Sequence, residues 1–148
     1  MKNFPFSVLL VSSLLTACVS ANPEKAPHGG GPGSGSVVFY RTHSLQATLA
    51  DAYIGTGDDY FLQLDEDEYT RVEVKGGFHQ FRARAQGSVS SDTRVKVNPG
   101  ETVCVEARPN YEELEWLAVP FVNAFIPSFV LEETPCPSAE EMSRWTRV

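Results

Sequence analysis

The feature that most constrains the fold is a series of short apolar segments, separated by turn signals, between residues 37 and 106. Several of them, such as 78–86, alternate apolar and polar side chains, which is the period of a strand with one buried face. Turns such as Asn98-Pro99-Gly100 separate them. The pattern predicts a mainly β protein, an antiparallel β-sandwich of about seven strands. The predicted strands are 37–41, 49–54, 60–64, 69–75, 78–86, 93–97 and 102–106.

The apolar run at residues 116–131 breaks this pattern, and two prolines divide it. It either covers an open face of the sandwich or forms an exposed interaction surface, through Phe121 and Phe125 on one side of a short helix. We favour the covering role. The sequence Ser138-Ala139-Glu140-Glu141 matches a capping box and predicts a last short helix. Residues 111–148 are therefore expected to be an extension packed on the sandwich.

Residues 1–17 have the parts of a secretory signal: Lys2, an apolar segment too short to span a bilayer, and small residues before Cys18. The sequence Leu15-Thr16-Ala17-Cys18 resembles the lipobox of bacterial lipoproteins at all four positions. The resemblance implies that the leader is removed and that acyl chains on Cys18 anchor the protein. Because Val19 and not Asp follows, enteric sorting rules imply the outer membrane. An ordinary secretory peptide with an incidental cysteine is the alternative.

With Cys18 assigned to lipid, Cys104 and Cys136 remain as a pair. An oxidising envelope favours a disulfide between them. Such a bond would stabilise the fold by about 3–4 kcal/mol on the chain-entropy account. A metal site needs more ligands than two distant cysteines offer.

Charge and composition limit the classes of partner. Lys2 is the only charge in the leader, so its removal takes the formal net charge from −7 to −8. An acidic domain of this kind is a poor nucleic-acid binder and is not expected to be drawn to anionic lipid surfaces. Membrane attachment is therefore assigned to the lipid alone. Residues 18–36, rich in proline and glycine, predict a flexible linker before the sandwich at 37–110.

Three motifs stand in a recognisable order: Val38-Phe39-Tyr40-Arg41, Gly76-Gly77-Phe78-His79 and Val97-Asn98-Pro99-Gly100-Glu101-Thr102. Residues 37–108 resemble a family of small bacterial lipoproteins known as a domain of unknown function, similar in character to PEGA-type sandwich modules. The chain departs from that family at Gly76-Gly77, where Pro-Gly is usual, and at Val103-Cys104, where paired aromatic residues are usual. The resemblance implies a β-sandwich and an envelope location, and it brings no established activity.

Basic side chains recur on the polar side of the predicted strands, and they could form a docking surface for an anionic envelope partner. The alternative is a solvated face on which Glu73, Asp92 and Glu106 pair with the bases, and exposed ion pairs contribute little. We favour the solvated face. The bases concerned are Arg71, Lys75, Arg82, Arg84, Arg94 and Lys96.

Acidic side chains cluster at Asp58-Asp59 and at Asp65-Glu66-Asp67-Glu68. Calcium binding needs six to eight oxygen ligands, and neither stretch follows the EF-hand spacing. We interpret both as solvated turns and predict no metal or cofactor. The chain also lacks the Gly-x-Ser-x-Gly and His-Glu-x-x-His motifs, so catalysis is not expected.

The sequence thus predicts a lipid-anchored envelope protein with a non-catalytic binding or structural module, whose partner is another envelope protein. One alternative is an envelope hydrolase or hydrolase inhibitor, which requires His43 and His79 to meet in one cleft with an acid and a nucleophile. Another is a carbohydrate- or peptidoglycan-binding module, for which an exposed shelf of Tyr53, Tyr60 or Tyr69 is expected.

Overall fold

The computed structural model describes residues 18–44, 50–113, 116, 119 and 125–148. Within these ranges nine strands form two facing sheets, which confirms the mainly β class and the sandwich. The strands are β1 (Ser34–Arg41), β2 (Ala52–Thr56), β3 (Asp59–Leu64), β4 (Glu68–Lys75), β5 (Gly77–Arg84), β6 (Ser91–Val97), β7 (Thr102–Pro109), β8 (Phe129–Thr134) and β9 (Thr146–Arg147). Residues Ala139–Met142 form an α-helix, α1.

One sheet has the strand order β8-β7-β1-β4-β9, and the other has the order β3-β2-β5-β6. Most neighbours are antiparallel, as expected, but β7 runs parallel to β1 and β9 runs parallel to β4. The difference has a simple cause. Alternation in a sequence specifies which side chains face the core, and it does not specify which strands become neighbours.

Aromatic rings from both sheets meet in the core. Phe39 of β1 lies edge-on to Phe81 of β5, with ring centroids 4.9 Å apart, and to Phe61 of β3 at 6.0 Å. Val105 and Leu131, from β7 and β8, extend the same cluster. Burial of this apolar surface is the main term that favours folding.

Strand β1 is buried on both faces. Its side chains Val38 and Tyr40 point away from the core and are covered by the C-terminal extension. The Tyr40 ring stacks on Trp145 with centroids 5.3 Å apart, and its hydroxyl shares a hydrogen bond of 2.7 Å with the Thr134 hydroxyl. Helix α1 begins with the predicted capping box, in which the Ser138 side chain accepts from the third helical N–H.

The predicted disulfide between Cys104 and Cys136 is present, with Cα atoms 5.0 Å apart. It fastens the extension to the outer side of β7. It closes a loop with a sequence separation of 32 residues, which corresponds to about 3–4 kcal/mol of stabilisation on the chain-entropy account. The extension is thereby held against β1.

The end of the apolar run forms a strand that the sequence did not suggest. Phe129 and Leu131 of β8 are buried in the main core, while Val130 between them is partly exposed. The alternation begins only after Pro127 and is masked by the apolar residues before it. Through Phe129 and Leu131, the end of the run contributes to the main core.

The structure differs from the prediction of a flexible linker at residues 18–36. Strand β1 already begins at Ser34. Before it, the Asn22 N–H donates to the Tyr60 carbonyl at 2.8 Å, and the Gly29 N–H donates to the Glu73 carbonyl at 2.7 Å. The segment thus supplies backbone N–H donors to carbonyl groups of β3 and β4, on the side where the two sheets are open. Exposed strand edges are commonly covered in this way.

Gly29 offers a test of this docked segment. A Cβ atom at Gly29 would lie 2.5 Å from the backbone of Val74, whereas one at Gly30 would meet nothing within 4 Å. We expect Gly29→Ala to lower the free energy of unfolding by about 1–3 kcal/mol, the usual cost of overpacking. The measurement is urea unfolding, with Gly30→Ala as the matched control. Equal stability of the two variants would show that the segment does not depend on this close approach.

Candidate functional site

The outer side of the four-stranded sheet carries an exposed group of basic and aromatic side chains. Alternate residues of a strand share one face, so the burial of Phe81 and Ala83 in β5 and of Val95 and Val97 in β6 turns their neighbours outward. We call this surface the basic–aromatic face, and it consists of Phe78, Arg82, Arg84, Arg94 and Lys96. The four bases that the sequence singled out on these two strands therefore do share a face.

Two of these bases surround an exposed ring. Phe78 is 60% exposed. The Arg94 Cζ atom lies 4.2 Å from the centroid of this ring, and the Lys96 Nζ atom lies 5.9 Å from it. Within the part of the chain that the structure describes, neither base forms an ion pair. The end of the face around Phe78 therefore presents two uncompensated cations beside an apolar ring.

The other two bases are already engaged. The Arg82 guanidinium lies 3.1 Å from an Asp92 carboxylate oxygen and 3.4 Å from one of Asp58. The Arg84 guanidinium lies over the Tyr60 ring, with its Cζ atom 5.9 Å from the centroid. The solvated, salt-bridged alternative describes Arg82 well.

The same alternative does not describe the rest of the face. Of the acids expected to neutralise the bases, Asp92 is on this face, whereas Glu73 and Glu106 lie on β4 and β7 of the other sheet. Arg71 and Lys75 also lie on β4. Like the other bases, they alternate with apolar residues along their strand. Because β4 belongs to the five-stranded sheet, however, they do not lie on this face.

Cys18 lies beside the basic–aromatic face. Cys18, Val19 and Ser20 line a cleft of about 370 Å³ together with Tyr60 and Arg84. The Cys18 thiol is exposed and takes no part in the disulfide. The position of Cys18 could not be predicted from the sequence, because residues 18–36 have the composition of a linker.

The two histidines of the sandwich lie at opposite ends of it. His43 follows β1, and its Nδ1 atom is 2.7 Å from a Glu66 carboxylate oxygen. The His79 Nε2 atom is 2.7 Å from the Lys75 carbonyl oxygen. Since Lys75 pairs with Ser34 at the beginning of β1, the length of that strand separates the two rings. The shared cleft that the hydrolase alternative requires is not formed.

His43 belongs to a cluster around Arg41. The Arg41 side chain is 1% exposed, and its guanidinium donates to the carbonyl oxygens of Ala50 at 2.7 Å and Leu64 at 3.1 Å. Burial lowers the pKa of Arg41, and the nearby Glu66 carboxylate opposes this shift. The guanidinium ties the end of β1 to the loop before β2 and to the end of β3.

Glu66 completes this cluster from the turn between β3 and β4. Partial desolvation acts to raise the pKa of Glu66, but the Ser44 N–H, His43 and Arg41 favour the carboxylate, and the net effect lowers the pKa from its ordinary 4.5. The cluster has the character of a structural junction, in which each charged group is held by several partners.

The lowered pKa of Glu66 predicts a contribution to acid stability. A carboxylate whose pKa is lower in the folded state stabilises the fold above its unfolded pKa, and the contribution is lost as the pH falls through the folded value. We expect the difference in urea midpoint between wild type and Glu66→Gln to narrow as the pH falls from about 5 to about 3. Glu140→Gln, which removes an exposed carboxylate, is the control. A difference that stays constant with pH would contradict this role.

The tyrosines expected for a carbohydrate shelf are divided between the sheets. Tyr53 and Tyr60 lie in the four-stranded sheet, where Tyr53 is opposite Arg84. Tyr69 lies in β4 and packs near Trp145 in the cluster under the extension. All three are partly buried, and they do not form one continuous exposed shelf.

The apolar side chains of residues 116–131 were predicted either to cover the core or to form an interaction surface. Phe121 lies outside the described residues, and Phe125 is 78% exposed. Trp116 and Val119 are also exposed, at 49% and 40%. Nothing in the described part of the chain covers these side chains.

The acidic turns lie at opposite ends of β3. Asp58 precedes it and Asp59 is its first residue, whereas Asp65 to Asp67 follow it and Glu68 begins β4. Within the described ranges no group of three or more potential ligands is arranged around a metal position. In the same ranges, the helices are too short or too polar to cross a bilayer.

A second cleft, of about 420 Å³, lies between the N-terminal segment and the edges of β3 and β4. Phe61, Leu62 and Val72 form its apolar wall, and these side chains also belong to or border the main core. Its polar lining includes His28, Thr70 and Glu73.

Comparisons with family models, with curated proteins and with solved structures find no match for this chain. The resemblance of residues 37–108 to small bacterial lipoproteins therefore stays a prediction. The candidate site rests on its own geometry.

Proposed function

We propose that this chain is a lipid-anchored protein of the cell envelope whose β-sandwich is a non-catalytic binding module. The observation that carries the proposal is the pair of exposed bases Arg94 and Lys96, which form no ion pair within the described ranges and lie beside the exposed ring of Phe78. The protein as a whole has a negative net charge, but this part of its surface is positive. A local positive surface of this kind favours an anionic ligand. The binding surface in this proposal is the basic–aromatic face.

The anchor in this proposal is the acylated Cys18, in the outer membrane. The lipobox at residues 15–18 supports it, and so does the exposed thiol of Cys18, which is not used in the disulfide. Two or three acyl chains give durable attachment, whereas one chain binds reversibly. The sandwich would then remain at the membrane without a spanning helix.

An acidic envelope protein is the partner class that the sequence predicts for such a face. Complementary charge steers association and sets the orientation of docking. Arg guanidinium groups bind carboxylates and phosphates with two parallel hydrogen bonds, so Arg94 is the strongest single candidate for a contact residue.

Incorporation of labelled palmitate tests the anchor. We expect wild type to take up the label and Cys18→Ser to lose it almost entirely, because the labelled chains belong to a diacylglycerol that is joined to the Cys18 Sγ by a thioether. Ser20→Ala is the control and should be labelled like wild type. The label is the decisive readout, since an uncleaved leader can itself hold the variant at a membrane. Undiminished labelling of Cys18→Ser would overturn the proposed anchor.

A further inference from the structure

We propose that the basic–aromatic face lies against the anionic headgroups of the membrane that carries the anchor. The inference rests on the proposed function, since it takes Cys18 as the lipid attachment site. It replaces an unspecified anionic ligand with a definite one, the phosphate groups of the bilayer surface.

In this proposal no long flexible spacer separates the anchor from the sandwich. The Val19 N–H donates to the Gln86 side chain at 3.2 Å, and the Asn22 N–H donates to the Tyr60 carbonyl at 2.8 Å. The chain is thus fastened to the sandwich within a few residues of Cys18. A bilayer that receives the acyl chains must therefore lie close to the surface that surrounds Cys18.

The surface around Cys18 continues along β5 toward Phe78. Cys18 shares a cleft with Arg84, at one end of β5. Phe78 lies six residues earlier on the same side of this strand, about 20 Å away at the usual rise per residue. Arg82 lies between them. The basic–aromatic face is therefore a strip that begins at the anchor and ends at the exposed ring.

The side chains at the far end of the strip suit a surface of lipid headgroups. Arg94 and Lys96 can reach headgroup phosphates, and Phe78 supplies an apolar ring of the kind that enters the boundary between headgroups and acyl chains. The net charge of the whole chain does not decide this contact, because exposed charges beyond about 10 Å are screened at physiological salt. The expectation that an acidic domain avoids anionic lipid holds for the average surface and fails for this strip.

An amine-labelling experiment on the full lipidated protein tests the proposal. The protein is reconstituted into vesicles of phosphatidylcholine alone, or of phosphatidylcholine with phosphatidylglycerol, and treated with a membrane-impermeant amine reagent. We expect Lys96 to react more slowly on the anionic vesicles, on the order of fivefold. Lys75, which is exposed on the other sheet, is the internal control and should react equally on both.

Two charge-reversal variants complete the design. Arg94→Glu should abolish the protection of Lys96, whereas Arg71→Glu, an equal change on the other sheet, should preserve it. Equal labelling of Lys96 on both kinds of vesicle would overturn the membrane contact and leave the face to an acidic protein. Failure of the wild-type protein to float with either vesicle is a separate result, because it would overturn the anchor itself.

Discussion

The rest of the structure depends on the burial of β1 on both of its faces. Phe39 faces the core between the sheets, and Tyr40 faces the opposite way. A strand with two apolar faces needs a cover on each side, and the second sheet can supply only one. The C-terminal extension supplies the other, and the Cys104–Cys136 disulfide holds it there. The outer side of the five-stranded sheet is therefore covered by the protein's own chain around Val38 and Tyr40.

The two outer faces of the sandwich consequently differ. Among the described residues nothing covers Phe78, Arg94 and Lys96 on the outer side of the four-stranded sheet, and these three side chains are exposed. The N-terminal segment reaches only the part of this side near Tyr60 and Arg84. The fold thus leaves the basic–aromatic face accessible for binding and brings Cys18 to its border. In the proposed function, anchoring and binding belong to the same side of the molecule.

The sequence predicted those features that depend on local pattern. Alternation in residues 78–86 and 93–97 placed Arg82, Arg84, Arg94 and Lys96 on one face, and the capping box at Ser138 marked the start of α1. The cysteine count predicted the disulfide, since the third cysteine had another assignment. These signals lie within a few residues of one another or depend on counting alone.

Features that depend on distant contacts were not predictable in the same way. The parallel neighbours of β1 and β4 arise from how the chain passes between sheets, which no local pattern encodes. The docking of residues 22–29 depends on the backbone of Val74, which approaches Gly29 too closely for a side chain. In the sequence, nothing distinguishes Gly29 from the glycines that follow it. The position of Cys18 beside the basic–aromatic face follows from this docking, so the sequence could not predict it either.

The most direct test of the account is the depth of a spin label on the membrane-bound, lipidated protein. Gln80→Cys places a label between Phe78 and Arg82 on β5, and Glu140→Cys places one on α1, which covers the other sheet. The account predicts that on phosphatidylglycerol-containing vesicles the label at position 80 is shielded from a water-soluble relaxing agent, while the label at position 140 stays accessible. Equal accessibility of the two labels, or shielding at position 140 alone, would contradict it.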